Sequence, residues 1–307
     1  MSESKIFIID YTTENYYYKR MILFLLKKNF FDSWENIINL LIPNLVIDVF
    51  FALGVFGYVK CGFPFSYLAL GLVFTGVTLT VVFAGCFGKN ALSVANFGTA
   101  TVGNYFSNIG QSFKDFFMFG MLAALVVLSA FTGLPLYMGI NGFIGFVFFT
   151  MLSIFIFIMA LGLQWFVALK IILGGDFKKT LRKCFEILFD NFGFSVFMLF
   201  YVWWPFIVCF VLLNVTGNLF SFPGVLGACV AVTVFLPGFS GGVLSYVNAL
   251  RLRLYKYDWL EQHKDLKKAG TRKNIPWEAL IKEDRDTLGK KSIRSLITPW
   301  KSEKEDV

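Results

Sequence analysis

The stretch FFMFGMLAALVVLSAFTGLPLYMGINGFIGFVFFTMLSIFIFIMALGLQWFV, residues 116–167, contains no Asp, Glu, Lys or Arg in 52 positions. A transmembrane helix rises about 1.5 Å per residue and needs about 20 apolar residues to cross the hydrocarbon core of a bilayer. The stretch is therefore long enough for two crossings, and it predicts a helical hairpin in a membrane.

Two further charge-free stretches flank it, at 61–88 and 191–250. The first is long enough for one crossing and the second for two, and a last apolar stretch at 36–58 is interrupted only by Asp48. We therefore predict an all-α, polytopic membrane bundle of six transmembrane helices with interfacial amphipathic elbow helices. The predicted spans are 36–58, 65–88, 116–138, 142–165, 192–214 and 223–250.

The basic residues lie almost entirely on one side of these spans. Of the 28 Lys and Arg, 27 lie in the two termini and in the second and fourth loops, and Lys60 is the exception. Lys and Arg collect on the cytoplasmic side of membrane proteins. The pattern predicts a multi-pass protein of the cell membrane, taken as the bacterial inner membrane, with both termini in the cytoplasm.

Composition excludes several other classes of protein. With 57% hydrophobic residues and 39 Phe, the chain is more apolar than a soluble core requires. It lacks the alternating segments of a β-barrel, the cleavage site of a signal peptide and the phosphate-binding loop of an ATPase. Its five cysteines are not spaced as metal ligands, so we predict no metal and no cofactor. Topology and anionic lipid explain the net charge of +8 more simply than nucleic acid does.

The spans divide the chain into a cytoplasmic amino-terminal segment at 1–35 with an interfacial helix, a transmembrane domain at 36–250 and a basic cytoplasmic tail at 251–307. Basic and apolar residues alternate before the fifth span and after the sixth, as in helices that lie on a membrane surface. We expect these cations to contact anionic lipid headgroups. They are Lys178, Lys179, Arg182, Lys183, Arg251, Arg253 and Lys256.

The cytoplasmic entries to the first, third and fifth spans resemble one another, because each places an acidic residue beside Phe. These residues are Asp32, Asp115 and Asp190. The spacing suggests three repeats of an elbow helix and a two-span hairpin, as in transporters built from repeats. The alternative is that any helix entering a membrane from the inside uses aromatic residues and a helix-starting Asp.

Asp48 is the one charged side chain predicted deep inside a span, and Asn44 lies one helical turn before it. An acid within the membrane predicts a functional site, such as a proton relay or a cation site. The alternative is a structural polar contact, with Pro43 as the first residue of the span and Asp48 closer to the surface. Without a cation nearby, Asp48 would be protonated or bonded to a hydroxyl such as that of Thr75, Thr78 or Tyr201.

The sixth predicted span is interrupted by a group of small residues and a proline: Pro237, Gly238, Ser240, Gly241 and Gly242. One interpretation is a kink with a small-residue face that lets helices approach closely. The other is a discontinuous helix that lines a binding site for a substrate or an ion.

Two short motifs resemble enzyme signatures. Gly238-Phe-Ser-Gly-Gly242 matches serine nucleophile patterns, including that of rhomboid proteases, but the one histidine, His263, follows the last span. Leu173-Gly-Gly-Asp-Phe177 matches fragments of cyclase and intramembrane aspartyl protease motifs without their required partners. We interpret the glycine pair as a flexible joint with Asp176 as the cap of the next helix. We therefore predict that the chain is not an enzyme.

Three stretches resemble the YesL-like family of small bacterial multi-pass membrane proteins: FFDSWENIINLL at 30–41, SFKDFF at 112–117 and FKKTLRKCFE at 177–186. The similarity in layout covers roughly 30–215. Such proteins lack an established activity and often accompany carbohydrate-uptake systems. The resemblance thus implies a role near transport and supplies no functional residues, and it does not account for the tail.

These observations predict a transport-related membrane protein, either a permease-like path or an accessory subunit of a solute-uptake system. The alternative is a noncatalytic scaffold that docks a cytosolic or membrane protein partner, or anionic lipid, through its tail. The tail carries 15 Lys and Arg, which is more than orientation requires.

Overall fold

The structure, a computed structural model, describes residues 11–61, 66–215, 224, 226, 227, 230, 233, 238–263 and 275–289. Within these ranges every regular element is a helix. This confirms the predicted all-α class for the described part of the chain. The sequence forms helices because its long apolar runs must satisfy their backbone hydrogen bonds internally in a membrane.

Up to residue 163 the described helices are α1 (Tyr11–Glu35), α2 (Ile37–Cys61), α3 (Tyr67–Cys86), α4 (Gly88–Ala95), α5 (Val102–Leu128), α6 (Leu134–Met138) and α7 (Phe143–Leu163). The later helices are α8 (Phe166–Leu173), α9 (Phe177–Asp190), α10 (Phe192–Val215), α11 (Gly238–Gln262), α12 (Trp277–Leu280) and α13 (Lys282–Leu288). A π-helical turn at Ser129–Gly133 joins α5 to α6, just before Pro135.

Four described helical segments are long and apolar enough to cross a membrane: Ile37–Val59, Tyr67–Ala95, Val102–Met138 and Phe143–Leu173. A fifth is counted if the bent pair of α9 and the first part of α10 forms one span. These segments are compatible with a multi-pass membrane protein. Most of the sixth predicted span, 223–250, lies outside the described residues up to Gly238, where α11 begins.

Large apolar side chains on α7 lie on the outside of the molecule. Phe143 is 80% exposed and Phe146 is 67% exposed, and Met151 and Ile154 follow on the same helix with more than half of their surface exposed. In water such a row would be unfavourable, because burying a Phe or Ile side chain contributes roughly 1.5–3 kcal/mol that an exposed one does not. The same row is the surface that lipid tails would cover.

The predicted elbow before the fifth span is present as α9, which meets α10 at an angle of 105°. Gly174 and Gly175 both have positive φ values, so the glycine pair makes the joint before α9. Asp176 occupies the N-cap position as predicted, but its side chain makes no capping hydrogen bond.

One predicted elbow and one alternative start of a span differ from the helices described. The entry at 112–117 lies inside the continuous helix α5, so no separate elbow helix precedes the third span. Pro43 lies inside α2, six residues after its start at Ile37, and does not begin the span. In the interior of a helix a proline removes one backbone hydrogen bond, and α2 continues through Pro43 despite this loss.

The chain divides into two compact units. The membrane unit is Asp32–Leu250, and the terminal unit combines Met1–Phe31 with Arg251–Val307. The division falls close to the predicted boundaries at 36 and 250, and it places the amino-terminal segment and the tail in the same unit.

An ion pair, hydrogen bonds and a ring contact join parts of the terminal unit. Arg251 donates to Asp284 Oδ1 at 2.8 Å, and the hydroxyl of Tyr255 lies 3.3 Å from both oxygens of that carboxylate. The guanidinium of Arg253 lies 5.5 Å from the ring centre of the buried Trp277. These contacts join the residues that follow Leu250 to the described segment 275–289 of the same tail.

In the membrane unit, α2 packs closely against α3 at two glycines. Gly54 and Gly76 face each other, and a Cβ atom built on Gly76 would lie 2.5 Å from the backbone nitrogen of Gly54. A Cβ atom built on Gly54 would lie 3.6 Å from the backbone of Gly76, which is an ordinary contact. Small residues allow this approach, which helices in membranes use in place of a hydrophobic driving force.

We predict that Gly76→Ala destabilises the protein by about 1–3 kcal/mol, because the new methyl group overlaps backbone atoms that cannot rotate away. Gly54→Ala is the matched control and should have a much smaller effect. Thermal unfolding of the detergent-purified variants, followed by tryptophan fluorescence, measures the difference. Equal midpoints for the two variants would contradict the packing described.

Candidate polar site in the membrane unit

Asp48 is the central residue of the 23-residue candidate span Ile37–Val59 and has no solvent exposure. Its carboxylate therefore lies at mid-depth of the apolar segment and not near either end. The long helix α2 positions it there, because α2 begins at Ile37 and passes through Pro43 without ending.

The hydroxyl group of Thr233 donates a hydrogen bond to Oδ2 of Asp48, at 2.6 Å. Both side chains are buried. The sequence alone nominated Thr75, Thr78 or Tyr201 as the partner, and it did not identify Thr233. The hydroxyl of Thr78 is itself buried without a hydrogen-bond partner among the described residues.

Asn44 lies one turn before Asp48 on α2 and binds the beginning of α11. Its Oδ1 accepts a hydrogen bond from the backbone N–H of Ser240 at 2.6 Å, and Asn44 is 1% exposed. The first N–H groups of a helix have no partner within the helix. A side chain of α2 therefore satisfies the buried amino-terminal end of α11.

Gly238 begins α11 with a φ of +57°, a conformation that suits glycine. A Cβ atom at this position would lie 2.6 Å from Nδ2 of Asn44 and 3.1 Å from Oγ1 of Thr233. Gly238 therefore touches the same two side chains that flank Asp48. The structure brings together Asp48, Asn44, Gly238 and Ser240, which the sequence singled out from two distant segments.

Two polar atoms of this site have no hydrogen-bond partner among the described residues: Oδ1 of Asp48 and Oγ of Ser240. Both residues have 0% exposure. A buried polar atom without a partner costs roughly 1–3 kcal/mol. Each such atom in a native structure requires an explanation, and an ion or an ordered water is one of them.

The electrostatics of the site favour a positive ligand. No Lys, Arg or His forms an ion pair with Asp48 in the described ranges. The amino-terminal end of α11 carries a partial positive charge, which stabilises a nearby carboxylate without neutralising it. The described residues contain no group of three or more His, Cys, Asp or Glu side chains that would hold a metal.

The remaining residues of the predicted helix break have different positions. Gly241 and Gly242 lie in the first turns of α11 and are buried, whereas Pro237 lies outside the described residues. The hydroxyl of Ser240 has no hydrogen-bond partner among the described residues.

The predicted headgroup contacts divide into two groups. Lys178, Lys179 and Arg182 are exposed on α9, beside the half-buried Lys183, and Arg182 pairs with Glu186 one turn away at 2.8 Å. In the terminal unit, Arg253 and Lys256 are buried, and Arg251 pairs with Asp284. The placement of these last three residues opposes the predicted contact with lipid.

Helix α11 carries two further buried polar contacts that the sequence did not predict. The hydroxyl of Tyr246 donates to Oε1 of Gln164 at 3.1 Å, and Nδ2 of Asn248 donates to the buried carboxylate of Asp32 at 2.9 Å. The only available signal was the presence of polar residues in an otherwise apolar stretch, since pairing across many residues is not visible in one sequence.

No protein-family model, no curated protein and no solved structure matches this chain. The resemblance to the YesL-like family therefore stays a prediction.

We predict that Gly238→Ala weakens the site, because an alanine at this φ costs roughly 1–2 kcal/mol and its methyl group would overlap the amide of Asn44. Gly242→Ala is the matched control, since its Cβ atom would meet only the Cγ1 of Val202, which a side-chain rotation can move. Thermal unfolding in detergent should show a larger loss for Gly238→Ala. The opposite order would contradict the geometry.

Proposed function

We propose that this chain is a transport-related protein of the bacterial inner membrane, in which Asp48, Asn44, Thr233 and the start of α11 form part of a permease-like path. The path serves a solute-uptake system, either alone or as a subunit. We propose six spans with both termini in the cytoplasm, because 27 of the 28 Lys and Arg lie on one side of the predicted spans.

The observation that carries this proposal is the incomplete hydrogen bonding of Asp48. A buried carboxylate that served only as a structural contact would have partners for both oxygens, whereas Oδ1 of Asp48 has none among the described residues. Ionisable side chains in membrane spans are costly, and they mark ion and substrate pathways.

The beginning of α11 supports the same proposal. Transporters commonly bind substrates and coupling ions where a helix is interrupted near the middle of the membrane. Here α11 begins at Gly238 near the mid-span residue Asp48, and the buried N–H of Ser240 donates to the Asn44 side chain of α2.

Anionic lipid is the proposed partner of α9. Helix α9 is strongly amphipathic, with Cys184, Ile187 and Leu188 buried and three basic residues exposed on its other faces. A juxtamembrane basic residue is attracted to anionic headgroups by about 1 kcal/mol. This contact would anchor the elbow at the inner surface.

A noncatalytic scaffold is the second candidate function, and the terminal unit favours it. The contact of Asp284 with Arg251 and Tyr255 gives the tail a defined conformation at 275–289. A tail that served only to set orientation would not need such a structure. A cytosolic protein partner could dock on it.

We predict that Asp48→Asn abolishes cation flux by the full-length protein reconstituted in liposomes, because asparagine cannot carry the negative charge that a cation requires. Proton entry is followed with a trapped pH-sensitive dye, and sodium entry with ²²Na⁺, under an inside-negative potassium potential. Asp32→Asn is the matched control, since Asp32 is also buried but is bonded to Asn248.

Unchanged flux in Asp48→Asn would remove Asp48 from the path. A wild-type protein that moves neither cation would contradict the permease-like path and would favour the scaffold.

A further inference from the structure

We infer that the polar site binds one monovalent alkali metal cation, such as sodium, with oxygen ligands from Asp48, Thr233, Asn44 and Ser240. The inference rests on the proposed function, because it names the ion that the path would carry or couple to. It goes further in naming the ligands and the charge of the ion.

The charge of the site sets the charge of the ion. Asp48 supplies one negative charge, and the other three side chains are neutral. A buried carboxylate needs one positive charge to offset its loss of hydration. A divalent ion would leave a net positive charge in apolar surroundings, and calcium sites draw on 6–8 oxygen ligands, often from several carboxylates.

The chemistry of the ligands also excludes transition metals. Every candidate ligand is an oxygen of a carboxylate, an amide or a hydroxyl group. Such hard ligands suit alkali and alkaline-earth ions, whereas zinc and copper prefer imidazole and thiolate. No cluster of His, Cys, Asp and Glu is present among the described residues to provide these.

The two partnerless oxygens favour a metal cation over a proton. A cation between Oδ1 of Asp48 and Oγ of Ser240 would accept lone pairs from both atoms at once. A proton on Asp48 would leave the Ser240 hydroxyl without a partner in the described ranges. Oγ1 of Thr233 carries lone pairs besides the O–H that it donates to Asp48, and an amide oxygen such as Oδ1 of Asn44 has two lone pairs.

The positive end of α11 does not oppose cation binding. Oδ1 of Asn44 accepts a hydrogen bond from the N–H of Ser240, so this donor is already satisfied. The remaining dipole stabilises the ionised form of Asp48. An ionised Asp48 is the form that binds a metal cation.

The test measures the thermal stability of the full-length protein in detergent against the concentration of sodium chloride or potassium chloride. Choline chloride keeps the ionic strength constant. A ligand that binds only the folded state stabilises it in proportion to the logarithm of its concentration above its Kd. We expect the unfolding midpoint to rise with the concentration of one or both alkali cations. At lower pH the same rise should require a higher salt concentration, because protons compete with the cation for Asp48.

Four variants locate the effect. Asp48→Asn and Thr233→Val should lose the dependence on the alkali cation. Asp32→Asn and Thr180→Val should keep it, because Asp32 is bonded to Asn248 and the Thr180 hydroxyl is bonded to a backbone carbonyl of its own helix. Equilibrium binding of ²²Na⁺ and ⁸⁶Rb⁺ to the wild-type protein gives the same answer without any variant.

The inference is overturned if the unfolding midpoint of the wild-type protein does not respond to sodium or potassium and the protein binds neither labelled ion. If its stability then depends on pH through Asp48, the site holds a proton, and the proposed path survives while the metal ion does not. An equal response in all five proteins would reflect salt alone and would also overturn the inference.

Discussion

The hydrogen bond between Thr233 and Asp48 is the interaction on which the arrangement of the membrane unit depends. A carboxylate at the middle of an apolar span is unfavourable unless polar groups surround it. Thr233 supplies one such group at 2.6 Å, and Gly238 lies against both Thr233 and Asn44. The position of Asp48 thus requires that Thr233 and the start of α11 lie beside the same stretch of α2.

Helix α11 makes further hydrogen bonds within the membrane unit. Its residues from Gly238 to Leu250 are all buried, and its side chains bond to Gln164 and Asp32. In a membrane the burial of apolar surface does not favour one helix pairing over another, because lipid tails are equally apolar. Hydrogen bonds between helices therefore help to fix which helices pair. The apolar faces of α7 remain outside, where lipid would cover them. The proposed ion site thus lies where α11 begins beside Asp48 and is held by polar contacts.

The helical class was predictable because charge-free runs of membrane length allow no other regular structure. The placement of Asn44 and Asp48 on one helix face was also predictable, since residues four apart share a face, whereas the helix break predicted at 237–242 stays a prediction. The role of Thr233 could not be predicted, because the sequence does not show which threonine of the apolar stretches lies beside Asp48. The burial of Arg253 and Lys256 was not predicted, because basic residues after a span resemble headgroup ligands. The contact of Arg253 with Trp277 joins two parts of the tail that are distant in sequence. Asp115 resembled a helix start but lies within α5.

The most direct test of the account is a double-mutant cycle on the stability of Asp48→Asn, Thr233→Val and the double variant. If the hydrogen bond organises the site, the two substitutions share one interaction, and their combined effect should differ from the sum by about 1 kcal/mol or more. Thermal or denaturant unfolding in one detergent measures all four proteins. Effects that add within about 0.5 kcal/mol would show that Asp48 and Thr233 act independently, and would contradict the central claim.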